Sequence, residues 1–167
     1  MAPGIGHYLE LFRQCVLDDD AQILKQKNLE TATGKYKDAV FLKLYKKEWA
    51  NPFSDPLTAE SRIFFSVWVT PQSVAEKKIW YNIHALKLRK LTGYRIGSRE
   101  FADRFRSRFV KYQQQWPNLQ TDFGPLTLFE GWDHFDEGSF VKKTRSLLIQ
   151  FTAIEGLIDE TLAIFRK

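Results

Sequence analysis

The chain has 167 residues, of which 44% are hydrophobic and 27% are charged, and it carries a formal net charge of +5. This length and balance do not indicate disorder, and they predict one globular domain over residues 1–167. The single cysteine, Cys15, cannot form an internal disulfide. No apolar run approaches the ~18 residues of a membrane helix, and Met1 to His7 lacks a secretion signal, so we expect a cytoplasmic protein outside membranes.

The N-terminal region predicts helices. Apolar side chains recur at helical spacing in the first segment, which predicts an amphipathic helix at 6–17. A second, short helix is predicted near 20–30. Residues 31–34 contain a glycine among small residues, and we expect a loop there.

Two strands are predicted next. Residues 40–45, VFLKLY, alternate with the two-residue period of a strand. Residues 62–69, RIFFSVWV, are apolar on both faces, which predicts a central strand buried on two sides. Between them, residues 51–56 contain two prolines, so this segment is expected to be a loop.

The segment that follows fits two patterns. Ile79, Tyr81 and Ile83 alternate as they would in a strand, but the same stretch also places apolar residues on one face of a helix. Its alanine, leucine and lysine favour helix, whereas its isoleucine, tryptophan and tyrosine favour strand. We predict a short helical turn at 72–77 and then a strand at 79–88.

The C-terminal half predicts two helices around a strand. Ser98 is a suitable N-cap for a helix at 99–114, whose phenylalanines share one face. A strand is predicted at 125–131, and an acidic loop is predicted at 131–138. A continuous apolar stripe then predicts a long helix at 140–166.

The order of these elements predicts an α+β (or α/β) fold of one domain. We expect a three- to four-stranded mixed sheet packed by the helices near 6–17, 99–114 and 140–166. The last helix would reach about 40 Å, so it either covers a whole sheet face or extends into a partner. Homodimerisation through this helix is therefore a further prediction.

Positive charge is concentrated in the middle of the chain. Residues 77–111 contain 11 basic and two acidic residues, which gives this basic segment a net charge of +9. Its arginines flank a phenylalanine stripe. They therefore also suit an ordinary surface helix, in which the aliphatic part of each arginine side chain covers the edge of the core. The leading functional prediction is a non-catalytic binding or assembly module for nucleic acid or another polyanion. The predicted contacts are Lys87, Arg89, Lys90, Arg99, Arg104, Arg106, Arg108 and Lys111.

A metal-dependent nuclease is one alternative. The element order resembles the core of restriction-endonuclease-like folds, which hold Mg²⁺ with an Asp and a Glu-x-Lys on neighbouring strands. Glu76 and Lys78 form such a Glu-x-Lys, and Asp55 is the nearest upstream aspartate at a workable distance. The resemblance implies that this set polarises a phosphate and activates water. Asp55 lies in a proline-flanked turn and Glu76 precedes its strand, which departs from that pattern.

A small-ligand-binding domain is the other alternative. Aromatic residues make up 15% of the chain, and rings beyond those that fill a core can line a pocket, here with Trp68, Trp80 and Phe129. The sequence has no Walker A, GxGxxG, GxSxG or CxxC motif, which removes the motif-bearing nucleotide, hydrolase and redox classes. We therefore favour a non-enzymatic protein, and we assign no catalytic residue, metal ligand or cofactor.

Overall fold

A five-stranded antiparallel sheet forms the framework of the protein in a computed structural model, which describes residues 3–16 and 19–167. Each strand pairs with the one before it, so the strand order in the sheet is the order in the chain. The strands are β1 (Glu30–Tyr36), β2 (Ala39–Tyr45), β3 (Arg62–Val69), β4 (Lys78–Leu86) and β5 (Thr127–His134). The α+β prediction is confirmed, but the sheet has five antiparallel strands where three or four mixed strands were expected.

Helices precede, interrupt and follow the strands. They are α1 (Ile5–Gln14), α2 (Asp19–Gln26), α3 (Pro71–Ala75), α4 (Ser98–Phe109) and α5 (Phe140–Ile164). The 25 residues of α5 give it a length of about 37 Å, whereas five strands span about 19 Å. The predicted long C-terminal helix is therefore confirmed, and it is long enough to cross the whole sheet.

One face of the sheet packs against helices and forms the core. Phe65 and Val67 on β3 are fully buried, and Phe65 stacks on Phe151 of α5 with ring centroids 4.5 Å apart. Phe109 of α4 packs against Phe129 of β5 at 4.8 Å. Each buried ring removes a large apolar surface from water, so this aromatic core accounts for much of the stability of the fold.

A polar cluster fixes α5 to the end of β2. The Nζ atom of Lys46 lies 2.6 Å from both Glu155 Oε2 and Asp159 Oδ2. The indole nitrogen of Trp49 donates a hydrogen bond to Asp159 Oδ1 at 2.8 Å. Burial lowers the pKa of Lys46, but its hydrogen bonds to the two carboxylates outweigh that effect and raise the pKa above its usual value.

The loop predicted at 31–34 is wrong, because these residues belong to β1. The small side chains of β1 do not by themselves predict a strand, but β1 pairs along its whole length with β2, and the backbone hydrogen bonds of this pairing hold it as a strand. Gly34 lies opposite Phe41, and a Cβ atom added at Gly34 would lie 3.0 Å from Phe41 Cζ. The glycine therefore makes room for a ring on the neighbouring strand.

The acidic loop predicted at 131–138 is wrong over its first half, because β5 continues to His134. Gly131 permits this pairing with β4. The Tyr81 hydroxyl passes over Gly131 and donates a hydrogen bond to the Pro117 carbonyl at 2.6 Å. A Cβ atom at Gly131 would overlap that hydroxyl.

The other element predictions differ mainly at their ends. The helix expected at 6–17 is α1, and residue 17 lies outside the described residues. The N-cap of α4 is Gly97, where Ser98 was expected, and the last part of the helix predicted at 99–114 is a 3₁₀ segment. The strand predicted at 79–88 is β4, which begins one residue earlier and ends at Leu86, where a 3₁₀ segment follows.

Candidate functional site

The sheet face that points away from the core carries the candidate site, and we call it the open face. Side chains alternate along a strand, so the residues between the core positions point to this side. On β3 these are Arg62, Phe64, Ser66 and Trp68, and their cross-strand neighbours continue the face onto β2, β4 and β5. The open face therefore combines aromatic and polar side chains, in contrast to the apolar core.

Four aromatic side chains form a row across the open face, the aromatic row. Trp68 lies opposite Phe41 on β2 and Trp80 on β4, and Trp80 lies opposite Trp132 on β5. The rings of Trp68 and Trp80 stack with centroids 6.2 Å apart and an interplanar angle of 23°. All four side chains are half-buried, so the row offers apolar ring surface to a planar ligand.

A polar row runs beside the aromatic row, two residues away along each strand. Its members are Lys43, Ser66, Asn82 and Glu130, which are direct cross-strand neighbours on β2 to β5. Ser66 Oγ donates to Asn82 Oδ1 at 2.7 Å, and Asn82 Nδ2 donates to Glu130 Oε1 at 3.3 Å. The amide is thus held at both ends, which fixes the polar edge of the site.

His84 joins this network as a neutral ring. Asn82 Nδ2 donates to His84 Nε2 at 2.9 Å, so Nδ1 carries the proton and faces the Leu126 carbonyl at 3.3 Å. Burial lowers the pKa of His84; the Leu126 hydrogen bond opposes this, and the charges of Lys43 and Arg62 lower it further. The ring is therefore uncharged at neutral pH.

A groove of about 720 Å³ lies on the open face. Phe41 and Trp68 form part of its floor, and Leu57 and Thr58 from the loop before β3 line one side. Tyr36 of β1 stands at the rim with 66% of its surface exposed. The volume lies within the range of about 300–1,000 Å³ that small-molecule sites occupy.

The chemistry of the groove is stacking, hydrogen bonding and positive charge. Ser66 donates its hydroxyl hydrogen to Asn82, and His84 Nε2 accepts from the same amide. The histidine is therefore not placed as a base for the serine. Within residues 3–16 and 19–167, no three His, Cys, Asp or Glu side chains are arranged to hold a metal ion.

The residues of the nuclease alternative lie apart. Asp55 belongs to the loop before β3, where its carboxylate accepts a hydrogen bond from the Leu57 amide at 2.9 Å. Glu76 follows the far end of β3, and its carboxylate lies 3.8 Å from Lys78 Nζ. The two acids lie in segments before and after β3, and among the described residues neither belongs to a group of three or more His, Cys, Asp or Glu side chains that could hold a metal ion.

The residues of the basic segment have different environments. Lys87 and Lys90 both bond Glu60 Oε1, at 2.9 and 2.8 Å, and Arg104 lies 3.8 Å from Glu100. The structure shows no ion pair within the described residues for four members of the predicted contact set, Arg89, Arg99, Arg108 and Lys111.

Arg106 holds the start of β5 against α4. Its Nη2 donates to the carbonyls of Phe123, Gly124 and Thr127 at 2.9–3.1 Å, and its Nε donates to the Leu128 carbonyl at 3.1 Å. Burial lowers its pKa. These four hydrogen bonds give Arg106 a structural role that the charge pattern alone does not reveal.

The helix proposed for homodimerisation directs most of its apolar side chains into the core. Twelve of the 25 residues of α5 are buried, while Ile149 and Ile164 are exposed. Within the described part of the chain, no helix has the length and apolar character needed to cross a bilayer.

Sequence reasoning found two aromatic members of the site and missed its polar ones. Of the three rings expected to line a pocket, Trp68 lines the groove, Trp80 lies beside Trp68 in the aromatic row but does not line the groove, and Phe129 is buried on the core face. A signal was present for Lys43, which lies at one of the less buried positions of the alternating strand β2, but β3 is apolar on both faces and gives no such signal for Ser66. The chain matches no protein-family model, no curated protein and no solved structure.

Proposed function

We propose that this protein is a non-catalytic binding domain that holds a small organic ligand in the groove of the open face. The observation that carries the proposal is a groove of about 720 Å³ that Phe41 and Trp68 of the aromatic row line together with Lys43, Ser66 and Asn82 of the polar row. Soluble proteins rarely leave a large apolar patch uncovered unless it serves an interaction.

The two rows divide the work of recognition. Half-buried rings such as Trp68 retain apolar surface that a ligand can cover, which supplies affinity. The hydrogen-bonding groups of Asn82 and His84 are bonded to neighbouring protein groups, so these two side chains give the groove a fixed polar wall. Aromatic surface with a few fixed polar groups is the usual composition of a small-molecule site.

The test uses N-phenyl-1-naphthylamine, an uncharged probe whose fluorescence rises in an apolar site. We expect saturable binding to the full chain, and Trp68→Ala should weaken it by at least about fivefold, because one stacked ring contributes about 1–3 kcal/mol. Tyr112→Ala is the matched control, since this half-buried ring packs on the helical side. Binding that is absent, or equally weak in both variants, would contradict the proposal.

Polyanion binding through the basic segment is a second candidate. It is favoured by exposed Arg89, Arg99 and Lys111, which form no ion pair within the described residues. A fluorescein-labelled oligothymidylate should then bind more weakly as salt rises from about 50 to about 200 mM. Replacing Arg104 and Arg108 by Glu should abolish binding, while the same charge change at Lys37 and Lys47 should reduce it less.

A further inference from the structure

Lys43 lies between two aromatic rings in the groove. Its Nζ atom is 4.7 Å from the centroid of the Phe41 ring and 4.4 Å from that of the Phe64 ring. Ring faces attract an ammonium group but do not cancel its charge. Burial lowers the pKa of Lys43, and the nearby Arg62 lowers it further, so the structure leaves this charge poorly compensated.

Arg62 brings a second cation to the same place. Its guanidinium lies 5.4 Å from the centroid of the Phe64 ring, and its Nη1 donates to the Ala59 carbonyl. Its Nε is buried and has no hydrogen-bond partner in the described part of the chain. Burial lowers the pKa of Arg62. The groove therefore holds a guanidinium that is only partly satisfied by the protein.

No carboxylate of the described residues forms an ion pair with either cation. Glu60, two residues before Arg62, bonds Lys87 and Lys90 instead. Glu130 stands three strands from Lys43 in the polar row, at about 14 Å by strand spacing. Two positive charges on an aromatic floor remain without an opposite charge.

We propose that the ligand is a small planar aromatic anion, whose ring lies on Trp68 and Phe41 and whose anionic group meets Lys43 and Arg62. This inference rests on the proposed function of the groove. A carboxylate, sulfonate or phosphate supplies the opposite charge and the acceptor oxygens that these cations lack. The interaction with Lys43 is strengthened because this ammonium is partly removed from water between the Phe41 and Phe64 rings.

A pair of matched probes separates charge from stacking. 8-Anilino-1-naphthalenesulfonate and the uncharged N-phenyl-1-naphthylamine share one ring system and differ by the sulfonate group. We expect the sulfonate to bind the full chain at least about tenfold more tightly, and to displace the uncharged probe competitively. Inorganic phosphate alone should compete weakly, because it has no ring to stack.

Single substitutions then locate the anionic group. Lys43→Met and Arg62→Met keep an unbranched side chain, and each should weaken the sulfonate about tenfold while changing the uncharged probe by less than about twofold. Lys78→Met is the matched control, because this open-face lysine lies over Trp132 but has Glu76 as its partner. Retained binding of the uncharged probe shows that each variant is folded.

The outcomes distinguish the inference from the function on which it rests. Equal affinity for the two probes, or an unchanged sulfonate affinity in Lys43→Met, would contradict an anionic ligand but would still support ligand binding in the groove. Failure of both probes to bind the unmodified protein would overturn the proposed function itself. If oligothymidylate displaces the sulfonate and this displacement is lost in Lys43→Met, the ligand of the groove is single-stranded nucleic acid and not a small molecule.

Discussion

The two faces of the sheet use the same strands and many of the same residue types, yet they differ in what covers them. On the core face, Phe65 packs on Phe151 and loses all contact with water. On the open face, three residues further along β3, Trp68 stacks on Trp80 and stays half-buried. Rings on the first face stabilise the fold, and rings on the second remain available to a ligand.

Polar residues sharpen the contrast between the faces. The open face carries the polar row and His84, which are linked by hydrogen bonds, whereas the neighbouring core positions of β3 and β4 are apolar except for Tyr81. Ser66 and Asn82 are buried, and a buried polar group without a hydrogen-bond partner would destabilise the fold. The hydrogen bond between them avoids that loss. The high aromatic content of this chain therefore supplies both a buried core and a partly exposed surface.

The largest expected effect compares one ring from each face. Phe65→Ala should lower the free energy of unfolding by about 3–5 kcal/mol, because it leaves a cavity against α5. Trp68→Ala should cost only about 1–2 kcal/mol, because water already reaches this ring. Urea denaturation followed by circular dichroism measures both values, and equal losses would erase the distinction between the faces.

Gly131 tests how closely the core face is packed at β5. In Gly131→Ala, the added Cβ would lie 2.6 Å from Tyr81 Cζ, so the ring must move and the Pro117 hydrogen bond must weaken. We expect a loss of about 1–3 kcal/mol in the free energy of unfolding.

Gly124→Ala is the control for this substitution, because nothing lies within 4 Å of its added Cβ. It should change stability by less than about 0.5 kcal/mol. A Gly131 variant as stable as the Gly124 variant would show that Tyr81 is not held in place as described.

The pH dependence of stability reports on the open face through His84. Its pKa lies below 6.5 in the folded protein, so the unfolded chain binds a proton more readily as the pH falls through 6.5. Stability should then decrease with falling pH, by up to about 1.4 kcal/mol per pH unit from this group. His84→Gln should flatten the dependence between pH 7 and pH 5, measured by urea denaturation, and an unchanged slope would contradict this role of His84.

The smallest expected effect concerns the loop that borders the groove. Hydrogen bonds from Lys90 and Lys87 lower the pKa of Glu60 to about 2. The stabilisation is present above pH 4.5 and is lost as the pH falls towards 2. Glu60→Gln should lower the melting temperature slightly at neutral pH and low salt, and the difference should vanish in acid or high salt.

Glu48→Gln is the control for the loop, because this exposed glutamate forms no ion pair within the described residues. Its melting temperature should follow that of the unmodified protein at every pH. A Glu60 variant that behaves in the same way would show that the loop does not depend on its two lysine contacts.

Part of the site could be predicted from the sequence, because strand alternation is a local property. The pattern at 62–69 predicts β3 with its ends correct, and it places Trp68 and Phe65 on opposite faces. The charge pattern was a weaker guide. It grouped Arg106 with its neighbours, although four backbone carbonyls bind this side chain, and it passed over Lys43, which stands alone in an apolar segment.

The sequence by itself determined the α+β class, the central strands and the long C-terminal helix, because hydrophobic periodicity reflects which side of each element is buried. Tertiary structure decided that 31–34 is a strand and that β5 reaches His134, because the hydrogen bonds of both come from neighbouring strands. Tertiary structure also decided which of the two alternating sets of side chains on each strand packs against the helices. That choice brings Lys43, Arg62 and His84 together from three strands, and no local pattern records contacts between strands.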